Sequence, residues 1–212
     1  MLMAPVWRMD VGWLLGFSRT VDRLSIRVGY VVAWAILIAV VVSAVNAIIR
    51  KVLNISSNSW LELQWILFGA VFLLCAPWTL LSNEHIRIDI VNNALPKRVR
   101  DWIDVFGHVF FLLPVTAVVA WLSWPFFWLS FMQNEQSTNA GGLPVYPSKL
   151  LIPLAFTLLF VQGISELIKR IAIIKGSLAD TVSGGGHHAA AEAEAERVIQ
   201  AAKLEAEQRG SA

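Results

Sequence analysis

Glu84, His85 and Asp89 are of types that bind metal ions, and they lie within one short run of the sequence. Carboxylate oxygens and imidazole nitrogens are common zinc ligands, but their spacing here matches no compact metal motif. Arg87 stands between them and would repel a cation. Because polar and apolar residues alternate along this run, we predict an amphipathic surface segment rather than a metal site.

Histidine pairs on facing helices would indicate a haem-binding membrane cytochrome. Of the four histidines, only His108 falls inside a long apolar block, and one histidine cannot supply both axial ligands. We expect His108 to hydrogen-bond to a neighbouring helix or to lipid headgroups instead. The chain also lacks a Gly-rich phosphate loop, a nucleophile beside a base and paired carboxylates. We therefore predict no enzyme activity, no catalytic, substrate-binding or metal site, and no cofactor.

Apolar residues are concentrated in four blocks without Asp, Glu, Lys or Arg, of which the first three are long and the fourth, Leu150–Ser165, is short. They make up 57% of the 212 residues, against roughly 45–50% in soluble domains. About 20 apolar residues in a helix cross the hydrocarbon core, and backbone amides in lipid must be satisfied within the helix. We predict an all-α integral membrane protein with four transmembrane helices, spanning about residues 28–49, 63–83, 105–134 and 149–168.

The middle of each predicted span carries no Asp, Glu, Lys or Arg. A self-contained proton-coupled carrier usually keeps an ionisable group within a span, because a residue must take up the proton. This absence disfavours a pump. It leaves open a sodium site built from carbonyl and hydroxyl oxygens.

The basic residues near the span ends are distributed unevenly across the predicted membrane. Most fall on the side of the N-terminus, namely Arg8, Arg19, Arg23, Arg27, Arg87, Lys97, Arg98, Arg100, Lys169, Arg170 and Lys175. The opposite side has Arg50, Lys51 and Lys149. Cytoplasmic loops carry an excess of Lys and Arg. We therefore predict that both termini are cytoplasmic (N-in/C-in).

Two segments flank the predicted membrane domain, which covers residues 25–175. Residues 1–24 form an N-terminal segment in which positions 4–24 combine a wide apolar stripe with arginines and aspartates. This pattern is typical of an interfacial helix, and a disordered leader is the alternative. Residues 176–212 pass from a glycine-rich break to a stretch rich in Ala and Glu. We predict a cytoplasmic helical or disordered tail, with a partner-binding helix as the alternative.

Four prolines lie in or near the predicted spans. We expect Pro77, Pro114 and Pro125 to interrupt helix hydrogen bonding and to bend the second and third spans. Pro153 is expected in the first turn of the fourth span, where it costs little.

Polar residues within and between the last two spans suggest two further contacts. Gln162 and Glu166 are four residues apart and should share one helix face. The segment 134–148 contains several glycines and prolines and should be an irregular loop. It is either a docking surface or a plain connector.

Four motifs carry a resemblance to a known family over about residues 20–175. They are Asn58–Trp65 before the second span, Asn83–Asp89 after it, Asn139–Leu143, and Lys149–Pro153 continuing to Gln162–Arg170. In these motifs the chain resembles the DctQ-like small membrane subunit of tripartite ATP-independent periplasmic (TRAP) transporters. The Ala/Glu-rich tail falls outside the resemblance.

The resemblance implies a multi-pass protein of the bacterial inner membrane. It implies a sodium-coupled system for organic acids, in which a soluble periplasmic protein captures the substrate and a large membrane subunit moves it. The small subunit would act as a scaffold. Expected partners are therefore the large subunit, the binding protein transiently, and membrane lipid, with no nucleic acid.

A surface for the large subunit is expected from apolar helix faces together with residues of the motifs. These residues are Trp60, Glu62, Gln64, Glu84, His85, Arg87, Asp89, Gln162 and Glu166. The alternative function is a self-contained small carrier or channel that acts as a homo-oligomer. An electron-transfer anchor is the third hypothesis, and a haem absorbance band would indicate it.

Overall fold

The computed structural model describes residues 7–54, 57–82 and 96–175, and these ranges are almost entirely helical. The helices are α1 Trp7–Leu53, α2 Asn58–Leu74, α3 Ala76–Leu81, α4 Lys97–Gly107, a π-helical turn His108–Leu112, α5 Leu113–Met132 and α6 Tyr146–Ile174. The loop after α5 adds one isolated β-bridge between Gln136 and Pro144. Over these described ranges the prediction of an all-α fold is confirmed.

Within the described residues, the helices form four segments that are long and apolar enough to cross a membrane. These segments are Gly12–Leu53, Asn58–Leu81, Val99–Met132 and Tyr146–Ile174. Large apolar side chains on them are exposed, including Phe72 at 81% and Trp121 at 80%. Exposure of this kind suits contact with lipid tails. Four candidate spans were predicted, and the helices extend beyond most of the predicted ends.

The first helix is continuous through the point where the sequence suggested a boundary between leader and span. It has 47 residues, which corresponds to about 70 Å. Ser18, Val21, Ser25 and Gly29 recur every three or four positions and are all buried. One face of this region is therefore packed against the rest of the protein. The interfacial position expected for residues 4–24 stays a prediction.

The second span is interrupted, as the position of Pro77 predicted. The α-helix α2 ends at Leu74, Cys75 forms a turn, and α3 begins with Pro77 in its first turn. Proline has no N–H to donate to the preceding turn, so the helix is broken and restarted there. Pro114 similarly lies in the first turn of α5, directly after the π-helical turn.

Pro153 lies inside α6 rather than in its first turn, so that prediction was wrong. The helix begins at Tyr146, and Pro147 takes the place in the first turn. The helix starts earlier than Lys149 because Pro147 has the φ angle that a first turn requires. Pro153 is consequently an interior proline, and it is fully buried.

The last helix is the centre of the bundle. It contacts α1, α2, α3, α4, α5 and the π-helical turn. Small residues allow these close approaches, since Ala155, Gly163, Ser165 and Ala172 on α6 are buried. In its most hydrophobic window 28% of residues are buried, against 6% for α1. The bundle thus has two ends, a termini end, where Ser18 of α1 meets Ser165 of α6, and a loop end, where the α5–α6 loop lies.

Candidate functional site

Gln162 connects α6 to α1 at the termini end of the bundle. Its side chain is 0% exposed. Its Oε1 accepts a hydrogen bond from Ser25 Oγ at 2.7 Å. Its Nε2 donates to Asp22 Oδ1 at 2.9 Å and to Glu166 Oε1 at 3.0 Å. The geometry agrees with the predicted shared face of Gln162 and Glu166, and it adds two partners from α1.

Lys169 and two serines extend this contact along the helices. Lys169 Nζ lies 3.1 Å from both carboxylate oxygens of Asp22, and it also donates to Glu166. The hydroxyls of Ser18 and Ser165 are 2.6 Å apart and both side chains are buried. We call these residues of α1 and α6 the α1–α6 network: Ser18, Asp22, Ser25, Gln162, Ser165, Glu166 and Lys169.

The next residue of α6 fixes a different neighbour. Arg170 is only 9% exposed, and its guanidinium lies 3.6 Å from Asp101 Oδ1 and 3.2 Å from Asp104 Oδ2 of α4. A buried guanidinium needs such partners, because an uncompensated charge is costly to bury. Lys169 therefore attaches α6 to α1, and the adjacent Arg170 attaches it to α4 at the same level along the helix.

At the loop end, Glu62 of α2 holds the α5–α6 loop. Its carboxylate accepts hydrogen bonds from Ser137 Oγ, from Asn139 Nδ2 at 2.8 Å and from the Leu143 N–H at 2.6 Å. These three donors come from both sides of the loop. Charge-assisted bonds of this kind are stronger than neutral ones. One carboxylate thus closes a loop that lies more than 70 residues away in the sequence.

The start of α2 supplies two more contacts to the same loop. Asn58 Nδ2 donates to the Ala140 carbonyl at 3.0 Å, and Ser59 Oγ donates to the Gly141 carbonyl. Gly141 adopts a φ of +70°, a conformation that favours glycine. We call Asn58, Ser59, Glu62 and the loop residues they hold the loop latch. It shows that two of the resembling motifs, Asn58–Trp65 and Asn139–Leu143, meet in space.

Gly142 is required for the loop latch to close. A Cβ on this residue would lie 2.5 Å from Ser137 Cβ and 2.7 Å from Glu62 Oε1. Atoms cannot approach this closely without displacement. The second glycine of the loop therefore provides space for the carboxylate.

An ion pair closes the base of the loop. Lys149 of α6 donates to Glu135, and its ammonium lies 4.2 Å from the centre of the Phe126 ring. The hydrogen bond from Lys149 lowers the pKa of the Glu135 carboxyl below its ordinary value. The loop 133–145 is thus an ordered structure tied to α2 and α6.

Beside the loop latch, an open crevice of about 510 Å³ lies between α2, α5, α6 and the loop. Its walls are mainly apolar and include Trp65, Leu73, Phe126 and Ile152. Five polar residues, Glu62, Ser137, Asn139, Ser148 and Lys149, line it as well. It is large enough for a small-molecule or lipid ligand.

The predicted interface residues are found in different settings. Trp60 is 37% exposed and Gln64 is half-buried, while Glu62, Gln162 and Glu166 make contacts within the chain. Glu84, His85, Arg87 and Asp89 lie outside the described residues. Contact of any of these residues with a partner stays a prediction.

Sequence reasoning missed the α1 half of the α1–α6 network. Ser18, Asp22 and Ser25 are spaced i, i+4 and i+7, so they lie on one helix face. That spacing was available in the sequence. The apolar stripe of the same segment favoured an interfacial helix over a helix packed against another span.

Among the described residues His108 bonds within its own helical segment and not to a neighbouring helix, while its predicted bond to a lipid headgroup stays a prediction. Its Nδ1 lies 2.7 Å from the Asp104 carbonyl. The π-helical turn begins at His108, which places the ring beside the carbonyl one turn earlier. Its Nε2 is buried without a hydrogen-bond partner among the described residues.

Comparison with known proteins agrees with the resemblance. The family described as "Tripartite ATP-independent periplasmic transporters, DctQ component" matches residues 37–172. A curated relative, the isethionate TRAP transporter permease protein DctMQ of Oleidesulfovibrio alaskensis (strain ATCC BAA-1058 / DSM 17464 / G20), is 28% identical over 123 residues. These cover 58% of this chain but 19% of the relative, so the match spans about a fifth of that protein. No solved structure matches. The chain belongs to the DctQ component family of the TRAP transporters.

Proposed function

We propose that this chain is the non-catalytic small membrane subunit of a sodium-coupled, binding-protein-dependent secondary transporter for organic acids. In this proposal it scaffolds the large transport subunit in the bacterial inner membrane, and both of its termini are cytoplasmic. Substrate and sodium bind to the other subunits.

The use of polar groups within the chain is the observation that carries this proposal. The α1–α6 network and the pairs of Arg170 occupy the termini end, and the loop latch with the Glu135–Lys149 pair occupies the loop end. In each case the side chains bond to another helix or to the α5–α6 loop of the same chain. A scaffold needs a rigid body of this kind more than it needs polar groups aimed into a transport path.

The size of the relative supports a large partner. The name of that protein ends in DctMQ, whereas the family of this chain is the DctQ component. The part that matches this chain is 19% of that protein. Most of that protein thus lies outside the part resembling this chain. We propose that a separate large subunit stands in that position relative to this chain. Isethionate in the relative's name is an organic anion, which agrees with an organic-acid substrate class.

The contact with the large subunit is proposed on the exposed apolar faces, with Trp60 and Gln64 at its edge. Glu62, Gln162 and Glu166 would support this surface indirectly, since they order the chain's own loop and helices. The run 84–89 is proposed as a second contact. The exposed tip of the loop, at Thr138 and Asn139, would face the binding protein.

A pull-down of the tagged full chain from native membranes in mild detergent tests the proposal. We expect a stoichiometric multi-span protein that mass spectrometry identifies as a TRAP large subunit. As a control, a tagged unrelated four-span protein from the same membranes should not recover it.

Recovery of this chain alone, or only as a homo-oligomer, would contradict the proposal. Transport by the purified chain in liposomes without a second protein would then establish the alternative, a self-contained carrier or channel.

A further inference from the structure

The lining of the crevice at the loop end changes from polar to apolar along its length. The polar residues Glu62, Ser137, Asn139, Ser148 and Lys149 line it together with the apolar Ile66, Gly69 and Leu73 of α2. Glu62 and Leu73 are 11 positions apart on helical segments, which corresponds to about 16 Å. The crevice therefore runs from a polar mouth at the start of α2 into the apolar depth of the span.

The change from polar to apolar lining matches the change from headgroup to acyl chain in a phospholipid of the surrounding bilayer. A polar headgroup would lie at the mouth, and an acyl chain would follow the apolar wall toward Leu73. Trp65 lies one turn from Glu62 and is 68% exposed, and indole rings favour the headgroup level because their N–H bonds there while the ring stays in the apolar region.

The mouth carries charges of both signs. Glu62 accepts three hydrogen bonds, and a carboxylate has about four acceptor positions, so one remains. Lys149 donates to Glu135 and lies over Phe126, which leaves ammonium donors for a second acceptor. A headgroup with both an ammonium donor and a phosphate would match Glu62 and Lys149.

The geometry points to a bound zwitterionic phospholipid with a primary ammonium, of the phosphatidylethanolamine type. One acyl chain lies in the crevice, the phosphate faces Lys149, and the ammonium faces Glu62. This inference rests on the crevice and the membrane spans alone, and it is independent of the proposed transport function.

The chemistry of the mouth distinguishes this lipid from others. Phosphatidylcholine has no N–H to donate to Glu62, and phosphatidylglycerol would bring a net negative charge beside Glu62 and Glu135. A side chain of a protein partner is the other occupant that an apolar crevice admits. Such an occupant would not need both charges at one end.

Lipid retention by the purified full chain tests the inference. The delipidated protein in mild detergent is incubated separately with phosphatidylethanolamine, phosphatidylcholine and phosphatidylglycerol, and adducts are counted by native mass spectrometry. We expect one retained phosphatidylethanolamine and weaker retention of the other two. Equal retention of all three would overturn the headgroup assignment.

Gly69→Leu is the matched variant for the acyl chain. Gly69 lines the crevice, and a Cβ there meets no atom within 4 Å, so a larger side chain has space to enter the crevice. We expect lipid retention to fall about tenfold, because the loss of two buried methylene contacts already suffices for that change.

Gly107→Leu is the control, since a Cβ at Gly107 also meets no atom within 4 Å and this residue is not part of the crevice wall. It should retain lipid at the wild-type level, and both variants should unfold at similar temperatures. Unchanged retention in Gly69→Leu would overturn the inference. The inference would also be overturned if the wild type shows no lipid adduct and Gly69→Leu no longer recovers the large subunit in a pull-down. That result would assign the crevice to a protein contact.

Discussion

Glu62 lies at the start of α2, where the chain enters the second span. In the sequence it is a charged residue at a span boundary, and glutamate side chains are mostly exposed to water. In the structure its two oxygens are used by Ser137, Asn139 and Leu143, and Gly142 leaves the space that they need. A single side chain therefore accepts three of the hydrogen bonds that order the loop.

Glu62→Ala should lower the Tm of the detergent-purified chain by several degrees and speed proteolytic cleavage within residues 134–148. The substitution leaves three donors of the loop without their shared acceptor. The control is Gln64→Ala, also on α2, for which no hydrogen bond within the described residues is found. Equal cleavage rates in the two variants would show that Glu62 does not order the loop.

The Glu135–Lys149 pair should make stability depend on pH in the acidic range. The hydrogen bond from Lys149 lowers the pKa of Glu135 in the folded state. A lowered carboxyl pKa adds stability above the unfolded value, about 4.3, and this stability is lost as pH falls through the folded pKa. The Tm of wild type minus that of Glu135→Gln should be positive at pH 7 and shrink below about pH 4. A difference that is constant across this range would refute the role of the pair.

At the scale of elements, α6 organises the other helices because it carries small and polar residues on several faces. Gln162, Ser165 and Lys169 face α1, and Arg170 faces α4. Hydrogen bonds of this type specify which helix faces meet and at what register, whereas apolar contacts alone tolerate sliding. The pairing of α1 with α6 is therefore a testable consequence of the network.

Ser18→Cys combined with Ser165→Cys should form a disulfide under mild oxidation, in a Cys75→Ala background. The two hydroxyl oxygens are 2.6 Å apart, close to the sulfur separation of about 2.05 Å in a disulfide. Cross-linking is read from gel mobility before and after protease cleavage in the loop. Ser18→Cys with Ser130→Cys is the control, because Ser130 lies in the last turns of α5 beside the loop. Absence of the Ser18–Ser165 cross-link would refute the packing of α1 on α6.

At the scale of the whole molecule, the charges lie at the two ends of an apolar bundle. The termini end has the larger share of Lys and Arg, although Lys169 and Arg170 are paired with carboxylates there. Acidic residues contribute little to topology, so pairing does not weaken the orientation expected from the basic residues. The loop latch would then lie on the periplasmic side.

Cysteine labelling in intact cells should reveal this orientation, again in a Cys75→Ala background. Thr138→Cys, on an exposed part of the loop, should react with a membrane-impermeant maleimide in intact cells. Lys175→Cys, at the end of α6, should react only after the inner membrane is permeabilised. The reverse pattern would place the termini outside and contradict the proposed topology.

The sequence alone determined the membrane class of this protein. The four apolar blocks predict membrane spans, and these spans must be helical because lipid offers backbone amides no hydrogen-bond partners. The Pro77 break and the common face of Gln162 and Glu166 were also predictable, since both depend on neighbours within a few residues. The start of α6 was not, because two prolines competed for its first turn.

Only the tertiary structure decided what the polar residues of the motifs contact. Gln162 meets Ser25 across 137 positions, and Glu62 meets Leu143 across 81. Local periodicity places a side chain on a helix face but carries no information about which distant segment faces it. That choice depends on the packing of whole helices, and here it brings Glu62, Gln162 and Glu166 into contacts with the chain's own loop and helices.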